Sequence, residues 1–180
     1  MKLRRSLYAI SIAAATATPA LVQAQDKTVR VGGAAMYPSK NIVENAVKSR
    51  DHTTLVAAVK AAGLVETLSS PGPFTVFAPT NAAFDKLPKG TVQTLVKPEN
   101  KSTLTNILTY HVVPGKLNAA QLTDGQRLVT VEGQPLTVKR SGSKVMIIDA
   151  KGHAATVTVA DVNQSNGVIH VVNSVLMPAG

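Results

Sequence analysis

The 180-residue sequence contains no cysteine, no tryptophan and only 3% aromatic residues. Without cysteine the chain forms no disulfide, and no lipid anchor on a cysteine is expected, so packing alone must supply its stability. Because aromatics are scarce although 44% of the residues are hydrophobic, the core must be built from Val, Leu, Ile and Ala. The many Val and Thr residues favour strands over long helices.

The sequence also lacks the short motifs that carry catalysis or metal binding. It contains no G-x-S-x-G nucleophile elbow, no H-E-x-x-H pair and no glycine-rich phosphate loop. The ten Asp and Glu residues are spread along the chain and form no paired motif. We therefore expect neither an enzyme nor a site for a metal ion or a cofactor.

The first residues read as an export signal. Lys2, Arg4 and Arg5 precede an apolar stretch at 7–17, and Val22-Gln23-Ala24 offers a cleavage site. We expect residues 1–24 to be a signal peptide and the mature chain to be periplasmic or extracellular. No uncharged apolar run of 18 residues follows, so no transmembrane span is expected in the mature chain.

The charge balance is basic. Removal of the signal peptide would lower the formal net charge by three, from +9 to +6. Such a charge favours acidic partners such as a polyanionic polysaccharide, an anionic headgroup or an acidic protein, although a basic surface without a partner fits it equally. Nucleic acid is not an expected partner, because stacking aromatics and nucleic-acid motifs are both missing.

Helical signals dominate the first half of the expected mature chain. Residues 25–40 are poorly patterned and predict a flexible lead-in, with an extended piece at 28–31. Asn41 can cap a helix that begins at Ile42, and Thr53 or Asp51 can cap a second helix that ends at Gly63. After a strand at 74–78, Thr80 or Asn81 can cap a helix over 82–87. Two more helices are expected at 91–96 and 98–108.

After Tyr110 the hydrophobic period changes from 3.6 to 2. Strands are expected at 128–131, 136–139, 145–148, 156–159 and 168–172, and turn-forming clusters separate the first four. Helices in the first half followed by hairpins in the second predict an α+β fold, with the helices packed on a mostly antiparallel sheet.

Two long stretches stand out from this pattern. Residues 74–84 read F-T-V-F-A-P-T-N-A-A-F, and residues 166–178 read N-G-V-I-H-V-V-N-S-V-L-M-P. With Tyr110-His111-Val112-Val113 between them, they resemble the signature segments of the fasciclin (FAS1) domain. The resemblance covers residues 41–178 and implies a wedge of mostly antiparallel sheet with N-terminal helices.

The family resemblance implies adhesion or matrix interaction through surface contacts with a polysaccharide or protein. Tyr110 and His111 fall in the family's middle motif, which makes them binding candidates, although packing explains them as well. The acidic-aliphatic segment through which some animal members contact integrins has no clear counterpart at 161–166, so integrin binding is not expected. A small-ligand carrier of the cell envelope, or an enzyme acting on envelope polymers, are the alternatives.

A basic hairpin tip is the sharper binding hypothesis. If Lys139, Arg140 and Lys144 of the strand-rich half flank one tight turn, they form a basic tip. We expect this tip to contact an acidic glycan or another envelope polyanion. The alternative is that these bases protect an edge strand from aggregation.

Overall fold

Residues 28–180 of the computed structural model are described. The expected signal peptide at 1–24 lies outside them. The described chain contains six α-helices: α1 Ile42–Ala46, α2 Thr53–Ala62, α3 Val65–Ser69, α4 Asn81–Asp85, α5 Thr91–Leu95 and α6 Lys101–Tyr110. Short 3₁₀ turns lie at Arg50–His52, Pro98–Asn100 and Ala119–Gln121.

Nine β-strands complete the fold of the described residues: β1 Val29–Val31, β2 Ala34–Met36, β3 Phe74–Pro79, β4 Val112–Pro114, β5 Arg127–Val129, β6 Pro135–Ser141, β7 Lys144–Ile148, β8 Ala154–Gln164 and β9 Gly167–Val172. β1 and β2 form a separate hairpin, and the other seven form one sheet in the order β4-β3-β9-β8-β7-β6-β5. Strand pairs in this sheet are antiparallel except β3 and β9, which run parallel. The predicted α+β fold is thus confirmed.

The seven-stranded sheet curls toward closure. The amide of Val131, just after β5, donates to the carbonyl of Val112 on β4 at 2.8 Å, which brings the two ends of the sheet together. The sheet therefore has an inner face, which points into its own interior, and an outer face. Helices cover the outer face at β3 and β9.

The two sides of the sheet bury separate hydrophobic clusters. The inner cluster includes Phe77, Leu136, Val138 and Ile147, each fully buried. The second cluster lies between the sheet and the helices; among its members are Val76, Ala78, Ile169, Val171, Leu55, Val59, Leu104 and Leu108. β3 and β9 contribute to both clusters, so these two motif strands are apolar on both faces.

Local capping explains where α1 begins. Asn41 Oδ1 accepts from the amide of Glu44 at 2.9 Å, and the Glu44 carboxylate accepts from the amide of Asn41 at 2.8 Å. This reciprocal arrangement is a capping box, and it includes the Asn41 cap expected from the sequence. α2 ends as predicted at Gly63, which adopts a left-handed conformation with φ 72°.

The segment at 25–40 differs from its prediction as a flexible lead-in. Within its described part, β1 and β2 pair from Val29–Met36 to Val31–Ala34. Val31 and Met36 are 7% and 3% exposed and join the cluster beneath the helices. Gly32 and Gly33 have positive φ and form the tight turn of this hairpin. The pattern of apolar and polar residues alone did not predict that turn.

Candidate functional site

The two side chains of the middle motif lie inside the protein. Tyr110 is fully buried; its hydroxyl donates to the carbonyl of Pro135 at 3.1 Å and accepts from the amide of Ala150 at 2.8 Å. Burial raises the pKa of Tyr110, the Ala150 amide opposes this, and the charges of Asp149 and Glu132 add to it. Tyr110 thus ties α6 to β6 and to the turn after β7.

His111 holds the chain after β9. The amide of Leu176 can only donate, and it lies 2.9 Å from Nε2, so the imidazole proton is on Nδ1 and is donated to the carbonyl of Ile107 at 2.7 Å. Burial lowers the pKa of His111 to about 4, against the smaller opposing effects of the Ile107 carbonyl and Asp149. The side chain is therefore neutral at pH 7 and cross-links two segments of the fold.

His170 plays a similar part on β9. Its Nδ1 accepts from the amide of Asp161 at 3.3 Å, its Nε2 donates to the carbonyl of Leu117 at 2.7 Å, and its ring stacks on Phe77 with centroids 5.7 Å apart. Burial lowers the pKa of His170, opposed by the Leu117 carbonyl and then by Asp161. Both imidazoles are thus neutral and hydrogen-bonded, and each holds separate segments of the fold together.

Neither motif side chain reaches the surface, so a partner contact at the middle motif would have to come from the residues around it. Among residues 28–180, no group of three or more His, Asp or Glu side chains is arranged to hold a metal ion. No helix in the same range is long and apolar enough to cross a membrane.

The structure divides the expected basic tip between the two faces of the sheet. Arg140 pairs with Val145 and points to the inner side, where its guanidinium Nη1 donates to the carbonyls of Ala119 and Leu122 at 3.1 and 3.0 Å. The expectation that all three bases form one exposed tip therefore needs correction. Because side chains alternate between the faces of a strand, Arg140 points to the opposite side from Lys139. Its guanidinium anchors the chain at 119–122.

Lys139 and Lys144 do share the outer face, and a third base joins them. Lys144 pairs with Ser141, which lies two residues after Lys139 on β6. Arg127 pairs with Thr137, which lies two residues before Lys139 on the same strand. Directly paired residues lie on the same face. All three bases are exposed.

We call the solvent-facing side of β5–β7 the basic face; it carries Arg127, Lys139 and Lys144. From strand geometry, its bases span about 14 Å along the strands and about 10 Å across them. β5, β6 and β7 contain no Asp or Glu, so no acidic side chain on these strands neutralises the face. Val129 and Val131 beside it are 61% and 45% exposed.

Sequence reasoning missed the strongest polar hub of the second motif. Asn-Gly pairs are typical of tight turns, but the Asn166 side chain is buried: Oδ1 accepts from the amide of Ile42 at 3.0 Å, and Nδ2 donates to the carbonyls of Leu68 and Ser70 at 2.8 and 2.9 Å. It thereby fixes α1 and α3 to the start of β9. A lone Asn before Gly carries no signal for partners 124 and 98 positions away.

Gly167, the next residue, allows the close approach of β9 to β3. A Cβ atom at this position would collide with the backbone carbonyl of Phe74. The pair Asn166-Gly167 is therefore a junction between the first and the last motif strand, which explains why both signature stretches are mainly structural.

This arrangement defines a class of protein: a helix-covered, nearly closed and mostly antiparallel sheet whose motif residues are structural. The Fasciclin domain family model matches residues 50–178. The chain belongs to the fasciclin family, as the sequence motifs predicted.

Relatives and solved structures agree with the assignment. The chain is 48% identical to Protein sll1483 of Synechocystis over 173 residues, which cover 96% of this chain and 93% of that protein. It is 40% identical to Immunogenic protein MPB70 of Mycobacterium bovis over 70% of this chain and 63% of the relative. It is 36% identical to pig transforming growth factor-beta-induced protein ig-h3 over 87% of this chain, but spans only 23% of that protein.

Among solved structures, a FAS1 domain pair from the insect cell adhesion molecule Fasciclin I superposes with a TM-score of 0.69 at 17% identity. The match covers 78% of this chain and 52% of that chain, and it shows the fold. The fasciclin family thus has an adhesion molecule among its members.

Proposed function

We propose that this protein is an exported adhesion module that binds an acidic polymer of the envelope or matrix through the basic face. The observation that carries the proposal is three exposed bases on one side of three strands that contain no acidic residue. Its membership of the fasciclin family, and the insect adhesion molecule with the same fold, support a binding role rather than catalysis.

Two apolar side chains at the edge of the basic face add a second kind of contact that a polymer can make, besides those with the bases. Val129 and Val131 offer exposed surface against which a sugar ring or an aliphatic stretch can pack. An acidic chain lying across the strands would meet Arg127 and Lys139 in succession. The bases are exposed, so each contact with an anion is worth only about 0.2–1 kcal/mol and affinity depends on several at once.

The test is binding of the chain from Gln25 onward to polygalacturonic acid, with neutral dextran as the reference polymer. We expect the triple variant R127S/K139S/K144S to bind about tenfold more weakly, as follows from the loss of three exposed contacts. Wild-type affinity should fall between 50 and 500 mM salt, because exposed charges are screened over about 10 Å at 0.1 M.

A control of matched charge separates a site from general attraction. K48S/K60S/K89S removes three exposed lysines, and so the same positive charge, from outside the basic face. It should keep most of the wild-type affinity. Equal loss in the two triple variants would show that net charge alone attracts the polymer, and binding to neutral dextran would show that charge is not the basis of recognition.

A further inference from the structure

A surface depression lies where three segments of the chain meet, at the start of the parallel strands β3 and β9. Its walls come from residues 71–73 before β3, from Lys116 after β4, and from residues 164–167 at the turn between β8 and β9. It contains about 240 Å³ of open space. A cavity of about 150 Å³ in another protein holds benzene, so this depression has room for one six-membered ring with substituents.

The floor of this depression is fixed by backbone contacts. The amide of Phe74 donates to the carbonyl of Asn166 at 3.0 Å. A Cβ atom on Gly72 would collide with that same carbonyl, and one on Gly167 would collide with the carbonyl of Phe74. The buried Asn166 side chain adds three hydrogen bonds of its own. These contacts hold the segments against each other, so the depression exists before a ligand binds.

A buried threonine holds the backbone around Lys116. Thr75 on β3 is fully buried. Its hydroxyl donates to the carbonyl of Gly115 at 2.7 Å and accepts from the amide of Leu117 at 2.9 Å. The amide of Gly115 also donates to the carbonyl of Pro73 at 2.9 Å. The residues on either side of Lys116 are therefore tied to β3 and to the opposite wall, while the lysine side chain itself is exposed.

Two polar side chains at the depression are available to a ligand. Within residues 28–180, neither Lys116 Nζ nor Ser165 Oγ takes part in an ion pair or a hydrogen bond. Both residues are exposed. None of the eight described residues that line the depression is acidic. The charge that suits this site is therefore negative, and a ligand hydroxyl can pair with the serine.

The exposed apolar surface of the depression is aliphatic. Pro71 and Pro73 are both exposed and line it, and none of its eight described lining residues is aromatic. The C–H groups of a saturated ligand skeleton pack on proline rings and remove apolar surface from water. A saturated ring or chain that carries hydroxyls keeps its other side hydrated, which suits an open site.

We propose that this depression binds a hydroxylated carboxylate of the size of one sugar, such as a uronic acid, with its carboxylate at Lys116 and a hydroxyl at Ser165. The depression shares no residue with the basic face, so the inference does not depend on binding of a polymer there. Two sources supply this chemistry: a free small acid, or the terminal sugar of an acidic polysaccharide.

The test compares D-galacturonic acid with D-galactose, which differ in the carboxylate. Each is titrated into the full chain while the amide resonances of Lys116, Ser165 and Gly167 are followed by NMR. Galacturonate should bind about two- to fivefold more tightly, as expected of one exposed charge contact. In K116S the two sugars should bind equally. K89S removes an exposed lysine elsewhere and should keep the preference for galacturonate.

Three further measurements sharpen the test. S165F fills part of the space and should weaken both sugars, since Ser165 lines the depression. R127S/K139S/K144S should bind galacturonate as the wild type does, which separates this site from the basic face. Trigalacturonate should bind more tightly than the monomer if the source is a chain end, and more weakly if it is a free acid.

Three results would overturn the proposal. The first is no response of the wild-type resonances to galacturonate. The second is equal wild-type affinity for galacturonate and galactose. The third is an unchanged preference for galacturonate in K116S, because the carboxylate would then be recognised elsewhere.

Discussion

At the scale of single residues, burial decides what the histidines do. His111 sits between a carbonyl that needs a donor and an amide that needs an acceptor, and a neutral imidazole satisfies both. Protonation would put a second N–H against the Leu176 amide. The ring therefore resists protonation in the folded state, which makes it a source of pH-dependent stability.

We predict that the free energy of unfolding decreases as the pH falls from 7 toward 4. The pKa of His111 is about 4 in the folded state and near 6.5 in the unfolded state. Its contribution is therefore fully present above about pH 6.5 and is lost as the pH falls toward 4, because the unfolded chain binds the proton first. The loss from this residue is on the order of 3 kcal/mol.

Urea unfolding at pH 7, 6, 5 and 4.5 measures this dependence. H111Q should be less stable at pH 7 and should show a flatter decrease, since one buried titrating group is removed. T80A, which removes a hydrogen bond but no titrating group, serves as the control and should keep the wild-type slope. A slope in H111Q as steep as that of the wild type would contradict the assignment.

At the scale of the elements, α2 begins through a side chain from another helix. Neither predicted cap, Thr53 or Asp51, supplies a hydrogen bond to its first turn. Instead Asn81 Oδ1 accepts from the amide of Thr54 at 3.1 Å, and Nδ2 donates to the carbonyl of Arg50 at 2.9 Å. The helix that contains Asn81 is capped by Thr80, whose hydroxyl accepts from the Ala83 amide at 3.3 Å.

N81A should therefore destabilise the first turn of α2 more than it destabilises α4, the helix that contains Asn81. We expect a loss of about 1–2 kcal/mol in unfolding free energy, typical of a missing N-cap, and faster hydrogen exchange at the Thr54 amide. T80A is the matched control and should speed exchange at Ala83 while leaving Thr54 protected. If N81A left exchange at Thr54 unchanged, the capping role would be excluded.

The elements also show the limits of sequence patterns. The helix capped by Asn41 and the strand at Phe74 follow from caps and periodicity, and the structure contains both. β1 corresponds to the extended piece expected at 28–31, whereas β2 and β4, three residues each, are too short to show a period. β4 depends on pairing with the distant β3, and β2 on pairing with β1 across the Gly32-Gly33 turn.

At the scale of the whole molecule, the β1–β2 hairpin is part of the core. Met36 is 3% exposed and packs in the cluster under the helices. We predict that M36A lowers the unfolding free energy by about 2–5 kcal/mol, the usual cost of truncating a buried methionine. A change at Arg30, exposed on the same hairpin, should stay within about 0.5 kcal/mol.

Urea unfolding monitored by circular dichroism distinguishes the two substitutions. A single transition shifted to lower urea in M36A would show that the hairpin unfolds with the rest of the domain. Wild-type stability in M36A would instead mean that the hairpin is attached to an independent domain that begins after it.

The sequence by itself determined the family, the α+β class, the places of most helices and strands, and the basic character of the strand-rich half. These properties depend on helix caps, on the hydrophobic period and on composition. All three can be read from residues that are close together in the sequence. Tertiary structure decided which bases share a face, which is why Arg140 became an anchor while Arg127 joined Lys139. It also brought Asn166 to Ile42, since contacts between segments this far apart in the sequence form only in the folded chain.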